Sequence, residues 1–360
     1  MNNESIIIRI NGNPYTQAEL NVLIAGKLSV DSLQEWEKEF YSFLKEWFSL
    51  SPTIKAQTSG STGEPSTIEL PRQVMEASAR RTIEYFNLKE GNYALLSLPC
   101  RFIAGKMMVV RAIVGKMDIV TVDPSLTSEL LSDKHFNLGA IVPNQVLKLL
   151  ESNSGIQKIE NIRNLLIGGS SIPVSLEAKV RTLKNLVVST YGMTETASHI
   201  AIRYLTGEKR SDIYHCLPEI EVDLNEMDCL KVHVPGQGIL QTKDIAELIS
   251  PTTFRILGRA DDVIISGGIK YWPEMIEKKL EEFITGRFIF SSLPDEKLGE
   301  KLVLVMEGKP FAMEELQHKI TEFLTPFEHP REIYFLKQFP ETENGKIKRN
   351  EIKQQIRDLL

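Results

Sequence analysis

The sequence predicts an α/β protein in two parts. Residues 1–258 form a large N-terminal α/β domain built on a parallel sheet, and residues 259–360 form a small C-terminal α+β domain. Two observations point there. From Tyr93 onward, short apolar runs bounded by Gly or Pro alternate with stretches of helical periodicity, the pattern of a parallel sheet. From Arg259 onward, short strands and helices succeed one another without that regular alternation.

Composition bounds the rest. At 360 residues the chain is long enough for two domains and a large core. Hydrophobic content of 42% and charged content of 25% are ordinary for a globular protein. A net charge of −6 argues against nucleic acid as a partner. Cys100, Cys216 and Cys229 are odd in number and far apart, so they predict reduced thiols in a cytoplasmic protein rather than a disulfide framework or metal site. The Met-Asn-Asn-Glu start carries no signal-peptide pattern, and no apolar window is long enough for a membrane span.

Residues 6–10, Ile-Ile-Ile-Arg-Ile, predict a strand. Ser32-Leu-Gln-Glu35 has capping-box spacing. Leu33, Trp36, Phe40, Phe43, Leu44 and Trp47 then recur at helical spacing, as a core stripe does. Pro52 ends that element. Thr58-Ser59-Gly60-Ser61-Thr62-Gly63-Glu64-Pro65-Ser66 suits neither helix nor strand, because Gly and Pro punctuate it and hydroxyls compete for backbone bonds. It suits an anion: glycines let backbone N–H groups approach, and Ser/Thr hydroxyls add donors. It lacks the Gly-Lys-Ser/Thr of a Walker A loop, and a plain surface turn has a similar composition.

Gln73–Phe86 is helical in pattern. Tyr93–Leu98 is a strand running into Pro99-Cys-Arg-Phe102-Ile-Ala-Gly105, and Lys106–Val114 is helical. Ile119–Val122 and Gly139–Val142 are strands, each followed by helical sequence. A strand at Leu165 leads into Gly168-Gly169-Ser170-Ser171 and a helix near Pro173; such a turn aims backbone amides at an anion or a flat ring. A strand from Val187 leads into Tyr191-Gly192-Met193-Thr194-Glu195-Thr196-Ala-Ser198-His199. Gly238–Asp244 contains Thr242-Lys243-Asp244, and Gly258-Arg259-Ala-Asp261-Asp262 follows, then Gly267-Gly268. Pro273 opens a helix to about Ile284, stopped by Gly286. Phe288–Ser291, Lys301–Met306 and Ile333–Phe335 are strands, and Met313–Leu324 and Glu351–Leu360 are helices. Between the last two elements lies Pro340-Glu-Thr342-Glu-Asn-Gly345-Lys346-Ile347-Lys348-Arg349.

Four of these stretches, in this order, resemble the motifs of the adenylate-forming superfamily of acyl-CoA synthetases, peptide-synthetase adenylation domains and luciferases. They are the hydroxyl-rich loop, Tyr191–Glu195, Gly258–Glu277 and Pro340–Arg349. Two positions depart. The lysine that follows the family's loop proline is Ser66 here, and the glycine of its Thr-Gly-Asp is Lys243. The loop also arrives by residue 58, which implies a shortened N-terminal portion.

The resemblance implies ATP, Mg²⁺ and coenzyme A as cofactors and a small-molecule carboxylic acid as partner, with a homo-oligomer left open. It implies that Thr58, Ser59, Gly60, Ser61, Thr62 and Gly63 hold phosphates, and that Gly168, Gly169 and Ser170 line the adenine and acyl pockets. Tyr191, next to Gly192, would lie against adenine. Thr194 would reach the α-phosphate and Glu195 would hold Mg²⁺, a hard cation. Asp244 and Arg259 would bind ribose, Arg259 also reaching phosphate oxygens. Asp261 is at the hinge on which the small domain moves, and Gly267 and Gly268 would pass the pantetheine arm. Lys346 would be the catalytic lysine. Phe102, Ser171 and His199 would adjoin the acyl group.

Within the family, residues 103–111, 167–174 and 190–199 most resemble short o-succinylbenzoate–CoA ligases of menaquinone synthesis. Such a substrate has a second carboxylate, for which Arg101, Lys106, Arg111 and Arg203 are the nearby cations. A ligase for another aryl or fatty acid, and a nucleotide-binding relative without turnover, are the alternatives.

Overall fold

The alternation of apolar run and helix after Tyr93 folds into a parallel sheet. The structure, a computed structural model, describes residues 7–57, 66–125, 131, 133–284, 286–309, 313–342 and 346–359. The chain divides into two compact units. The first comprises Met1–Ile172, Lys179–Ile220 and Val234–Leu240; the second comprises Pro173–Ala178, Glu221–His233 and Gln241–Leu360.

The first unit holds β1 (Ile8–Ile10), β2 (Asn13–Tyr15), β3 (Thr53–Gln57), β4 (Thr67–Pro71), β5 (Tyr93–Leu96), β6 (Asp118–Thr121), β7 (Leu138–Ile141), β8 (Asn164–Ile167), β9 (Leu186–Met193), β10 (Ser198–Tyr204) and β11 (Tyr214–Cys216). Their order in the main sheet is β11-β10-β9-β8-β7-β5-β6-β1-β2. From β9 to β1 every pairing is parallel. β2, β10 and β11 join antiparallel. All four residues of β8 are buried, as expected of a parallel strand covered on both faces. β3 and β4 form a separate hairpin paired up to Gln57 and Thr67.

Helix α1 (Gln17–Leu28) opens with the capping box of this region: Glu19 N donates to Thr16 Oγ1 at 3.4 Å and Thr16 N donates to Glu19 Oε2 at 2.8 Å. The expected box at Ser32 and Glu35 does not form. α2 (Glu35–Trp47) starts at Glu35 itself, with Gln34 at the N-cap and no side-chain cap, so Ser32 lies outside the helix. The stripe is correct: Phe40, Phe43, Leu44 and Trp47 are buried. At the far end, Arg72 donates to the Glu46 carbonyl at 2.7 Å and lies over the Trp47 ring. It thereby satisfies carbonyls that the last turn leaves open. α3 (Arg72–Tyr85) and α4 (Ile103–Val114) follow, with Met75, Ala79 and Met107–Val110 in the core. α5 (Pro143–Leu149) and α6 (Asn153–Glu160) follow in the first unit, while α7 (Val174–Val180) begins in the second unit's Pro173–Ala178 segment.

The second unit contains β12 (Glu221–Leu224), β13 (Cys229–Val234), most of β14 (Gly238–Ser250) and β15 (Thr253–Arg259), adjacent in that order. Its smaller sheet is β17 (Ile269–Tyr271), β16 (Ile264–Ser266), β19 (Gly299–Glu307) and β18 (Phe288–Asp295), with β20 (Glu332–Leu336) on β19. The two-residue period of a strand sends Phe288, Phe290, Leu302, Leu304 and Met306 to one face. There they meet α8 (Pro273–Leu280) and α9 (Met313–Phe323). Ile289, Leu293, Val303 and Val305 go to the other face, against Ile352 and Ile356 of α10 (Arg349–Arg357).

α8 ends at Leu280, short of the expected Ile284. Phe283 stacks on Phe323 with centroids 3.6 Å apart, and Ile284 enters the core. Residues 281–283 continue as a hydrogen-bonded turn, with Ile284 N donating to the Leu280 carbonyl at 2.9 Å. The three cysteines are free thiols. Among the described residues, no helix is long and apolar enough to cross a membrane.

Candidate active site

In the first unit the site is built where β8 and β9 end. Gly168 follows β8, and a Cβ there would lie 2.2 Å from Thr190 Oγ1, so only glycine admits the neighbouring strand so closely. Gly169 has φ of +90°, which also requires glycine. Ser170 and Ser171 continue this turn.

Tyr191 and Gly192 lie within β9 rather than in a loop. Gly192 faces His199 across the β9–β10 hairpin, and a Cβ on it would lie 2.3 Å from the Ser198 carbonyl. The Tyr191 ring packs against Tyr214 at 5.7 Å. Thr194–Ala197 make the hairpin tip. Thr196 Oγ1 accepts from Met193 N at 3.0 Å and donates to the Ser198 carbonyl at 2.6 Å. Ala197 and Ser198 have φ of +53° and +110°, backbone strain of the kind that collects at functional sites. Thr194 is buried, and Glu195 is half-buried with its carbonyl accepting from Gln237 Nε2 at 2.8 Å. The hairpin thus holds the Glu195 backbone and leaves its carboxylate for other partners.

Phe102 is the N-cap residue of α4 and pairs in a parallel bridge with Gln57, the last residue before the hydroxyl-rich loop. Gly105 lets α4 start against the strand end, since a Cβ would lie 2.3 Å from the Pro99 carbonyl. Thr58, Ser59, Gly60, Ser61, Thr62 and Gly63 lie outside the described residues.

The four nearby cations separate by burial and partner. Arg101 pairs with Glu39 at 2.7 Å and Lys106 with Glu46 at 3.3 Å. Arg203 lies over the Tyr214 ring. Arg111 is only 1% exposed. Its Nε donates to Thr82 Oγ1 at 3.1 Å, and its Nη2 lies 2.8 Å from Ser198 Oγ and 3.1 Å from His199 Nδ1. Its fourth partner among the described residues is Met108 Sδ, and none of these four is an acid. Burial pulls its pKa down to about 9. Burial, and then the Arg111 charge, hold His199 well below the usual histidine range, so its ring is neutral.

In the second unit, Asp244 and Arg259 are direct cross-strand partners on β14 and β15, joined at 2.8 Å. Arg259 also approaches Asp261 at 3.4 Å, in the short 3₁₀ turn Ala260–Asp262. Lys243 pairs with the other oxygen of Asp261 at 3.1 Å. Burial opposes the Arg259 charge, but Asp244, Asp261 and Asp262 outweigh it and raise its pKa. Lys346 is half-buried near the same groups; burial and then Arg259 lower its pKa, against Asp244 and Asp262. Gly267 and Gly268 have φ of +58° and +82° and form the two-residue turn between β16 and β17, a conformation that itself asks for glycine. This unit therefore gathers Asp244, Arg259, Asp261 and Lys346.

The profile of the family described as AMP-binding enzyme matches residues 56–243, more than half of the chain. The chain belongs to the AMP-binding enzyme family. This AMP-binding enzyme is similar to an acyl-CoA synthetase (AMP-forming)/AMP-acid ligase II-like protein from Dyadobacter fermentans. They share 31% identity and a TM-score of 0.61 over 93% of this chain and 98% of that one. The 2-succinylbenzoate–CoA ligase of Lactococcus lactis is 25% identical over 82% of this chain and 69% of its own. The fold also resembles o-succinylbenzoate CoA synthetase from Bacillus subtilis in complex with the acyl-adenylate intermediate OSB-AMP. That likeness has a TM-score of 0.76 at 19% identity, over 97% of this chain and 95% of that one.

Several residues that shape the site of this AMP-binding enzyme carry no sequence signal. Thr82, Thr196 and Gln237 are ordinary polar residues until the fold brings them to Arg111, Met193 and Glu195. Arg349 stood in a motif, yet only the structure reveals its acidic surroundings.

Proposed function

We propose that the protein is an AMP-forming acid–CoA ligase of the cytoplasm that converts o-succinylbenzoate to its CoA thioester. A substrate carboxylate oxygen attacks the α-phosphorus of ATP, the bond to the β-phosphate oxygen breaks, and pyrophosphate leaves. The CoA thiol, losing its proton to solvent, then attacks the acyl carbonyl; the bond to the AMP oxygen breaks and AMP leaves.

The first step brings two anions together, so the site must supply positive charge. Lys346 is the proposed donor to the reacting phosphate, and the hydroxyl-rich loop adds backbone and side-chain donors. Glu195 is the residue that would hold Mg²⁺, which would neutralise phosphate charge when bound. One half-buried carboxylate fits an ion that takes most of its ligands from phosphates and water. Asp244 and Arg259 are proposed at the ribose, and Tyr191 at adenine. Gly168, Gly169 and Ser170 are proposed to line the adenine and acyl pockets, with Ser171, Phe102 and His199 beside the acyl group. Residues 259–360 are proposed to rotate at Asp261 between the two half-reactions, bringing Gly267 and Gly268 to the thiol.

The observation that carries the substrate is Arg111. A fully buried cation among neutral partners is costly unless an anion joins it. It sits beside the tip of the hairpin that carries Tyr191, Thr194 and Glu195, bonded to Ser198 and His199, where a second substrate carboxylate would pair with it. The names of the curated relatives support the same acid.

The test is a substrate panel. With ATP, Mg²⁺ and CoA, o-succinylbenzoate should yield AMP, pyrophosphate and thioester. The analogue without the ring carboxylate should react far more poorly, since it leaves Arg111 unpaired. Comparable efficiency with benzoate, a fatty acid or that analogue would overturn the substrate while leaving the ligase chemistry standing.

A further inference from the structure

Around Arg349, three carboxylates converge on one guanidinium. Its Nη1 and Nη2 bind Glu277 of α8 in a fork, at 2.8 and 2.5 Å. Its Nε lies 3.9 Å from Asp262 and 3.9 Å from Glu274. Its Nη1 also reaches the Phe290 carbonyl at 3.3 Å, while Glu277 Oε1 accepts from Phe290 N at 2.6 Å. The guanidinium is thus fastened to α8, to β18 and to the 3₁₀ turn Ala260–Asp262. Burial opposes its charge, but the pull of Glu277, Glu274 and Asp262 holds its pKa above the ordinary value.

Arg349 is also the first residue of α10, three residues after Lys346. Three residues span at most about 10 Å. The intervening segment is itself braced. Lys346 N donates to Thr342 Oγ1 at 3.1 Å, Thr342 N donates to the Lys346 carbonyl at 2.9 Å, and Lys348 N donates to the Pro340 carbonyl at 2.9 Å. Ile347 bridges Glu341. Residues 346–349, braced in this way and ending in one buried, bidentate anchor, have little freedom to shift. Asp261 and Asp262 are neighbours in the turn, yet Asp261 pairs with Lys243 and Arg259 while Asp262 faces Arg349. A change in that turn therefore reaches Lys346 through Arg349.

We propose that Arg349 is a positioning residue for Lys346: its fork on Glu277 and its contact with Asp262 register the Lys346 loop against the Ala260–Asp262 turn for the adenylation step. This rests on the assignment of Lys346 to adenylation made above. An arginine is required because the ammonium of lysine cannot make the two-pronged bond. A fold-stabilising role alone would affect both half-reactions alike; a registering role affects only the one in which Lys346 acts.

The experiment uses the full chain with Arg349→Lys and, separately, Asp262→Asn. Adenylation is read by acid-dependent ATP–pyrophosphate exchange. Thioester formation is read by mixing purified acyl-adenylate with CoA. Arg349→Lys should lower the adenylation kcat about tenfold to a hundredfold, the scale of a misplaced catalytic group. The KM for ATP and the thioester rate should stay within roughly threefold. Asp262→Asn leaves the Glu277 fork intact, so it should fold even if Arg349→Lys does not. It should produce the same split with a smaller amplitude.

A second readout separates position from packing. Arg259 of β15, Asp244 of β14, Asp262 of the turn and Arg349 of α10 are the charges that act on Lys346. Arg349→Met removes one positive neighbour, so the alkaline limb of the adenylation profile should move to higher pH. Equal loss of both half-reactions, or no loss of either, overturns the proposal. A wild-type protein without any exchange activity would instead remove the ligase assignment beneath it.

Discussion

Lys243 Nζ lies 3.1 Å from Asp261 Oδ1, so a position that is glycine in the family's Thr-Gly-Asp here supplies a cation to the turn after β15. Asp261 is thereby shared between Lys243 and Arg259. The Lys243 side chain is largely exposed, and such pairs contribute about 0–1 kcal/mol. Lys243→Gly should therefore change the ratio of the two half-reaction rates by up to about fivefold. The effect should fade at high salt, which screens exposed charges. Single-turnover rates at low and high ionic strength check this, and an unchanged ratio at low salt refutes it.

Lys346→Ala should slow adenylation by on the order of 10²–10³, the typical loss of one preorganised donor, and spare thioester formation from adenylate. The pH profile carries a sign. In the proposed role the protonated amine is the active form, and burial with Arg259 lowers its pKa. Activity should thus fall, as pH rises, below the usual lysine range. Asp244 raises that pKa, so Asp244→Asn should move the limb lower still. An unmoved limb in the variant would show that another group titrates.

Glu195→Gln should slow adenylation and raise the Mg²⁺ concentration needed for half-maximal rate, with little change in melting temperature. Mg²⁺ prefers a charged oxygen, and the structural bonds of the hairpin run through the Glu195 carbonyl and Thr196 instead. The same Mg²⁺ dependence in wild type and variant would dismiss Glu195 as the ligand.

Arg111→Met should separate stability from function. Replacing a buried cation by an apolar side chain of similar size is often neutral or stabilising, so the melting temperature should hold or rise. The KM for the dicarboxylic acid should rise roughly a hundredfold or more while the KM for ATP stays put. A lower melting temperature with an unchanged acid KM would make Arg111 structural.

Glu274 gives a pH dependence of stability. Burial first, with Glu277 and Asp262 adding to it, raises its pKa to about 7 against the pull of Arg349. Among the described residues its buried Oε2 has no hydrogen-bond partner. A carboxyl raised in the fold contributes stability present below its unfolded pKa and lost as pH rises through about 7. Glu274→Gln should flatten that decline and melt higher than wild type above pH 7. Parallel pH–melting curves for the two proteins would count against it.

By itself the sequence determined the fold class, most element positions and the family. Those signals are local: alternating apolar runs from Tyr93, glycines at 168 and 169, and four motifs that each occupy one continuous stretch. Sequence spacing missed two boundaries: Ser32 lies outside a helix that starts later, and past Leu280 the helix gives way to a turn whose Phe283 stacks on Phe323. Only the fold sets Arg111 apart from the other three cations, because its burial and its neutral partners among the described residues depend on Thr82, Ser198 and His199, up to 88 residues away. The same holds for Arg349, whose anchor is Glu277, 72 residues earlier. Charge type can be read along a chain, but what surrounds a charge is settled by residues that meet only when the chain folds.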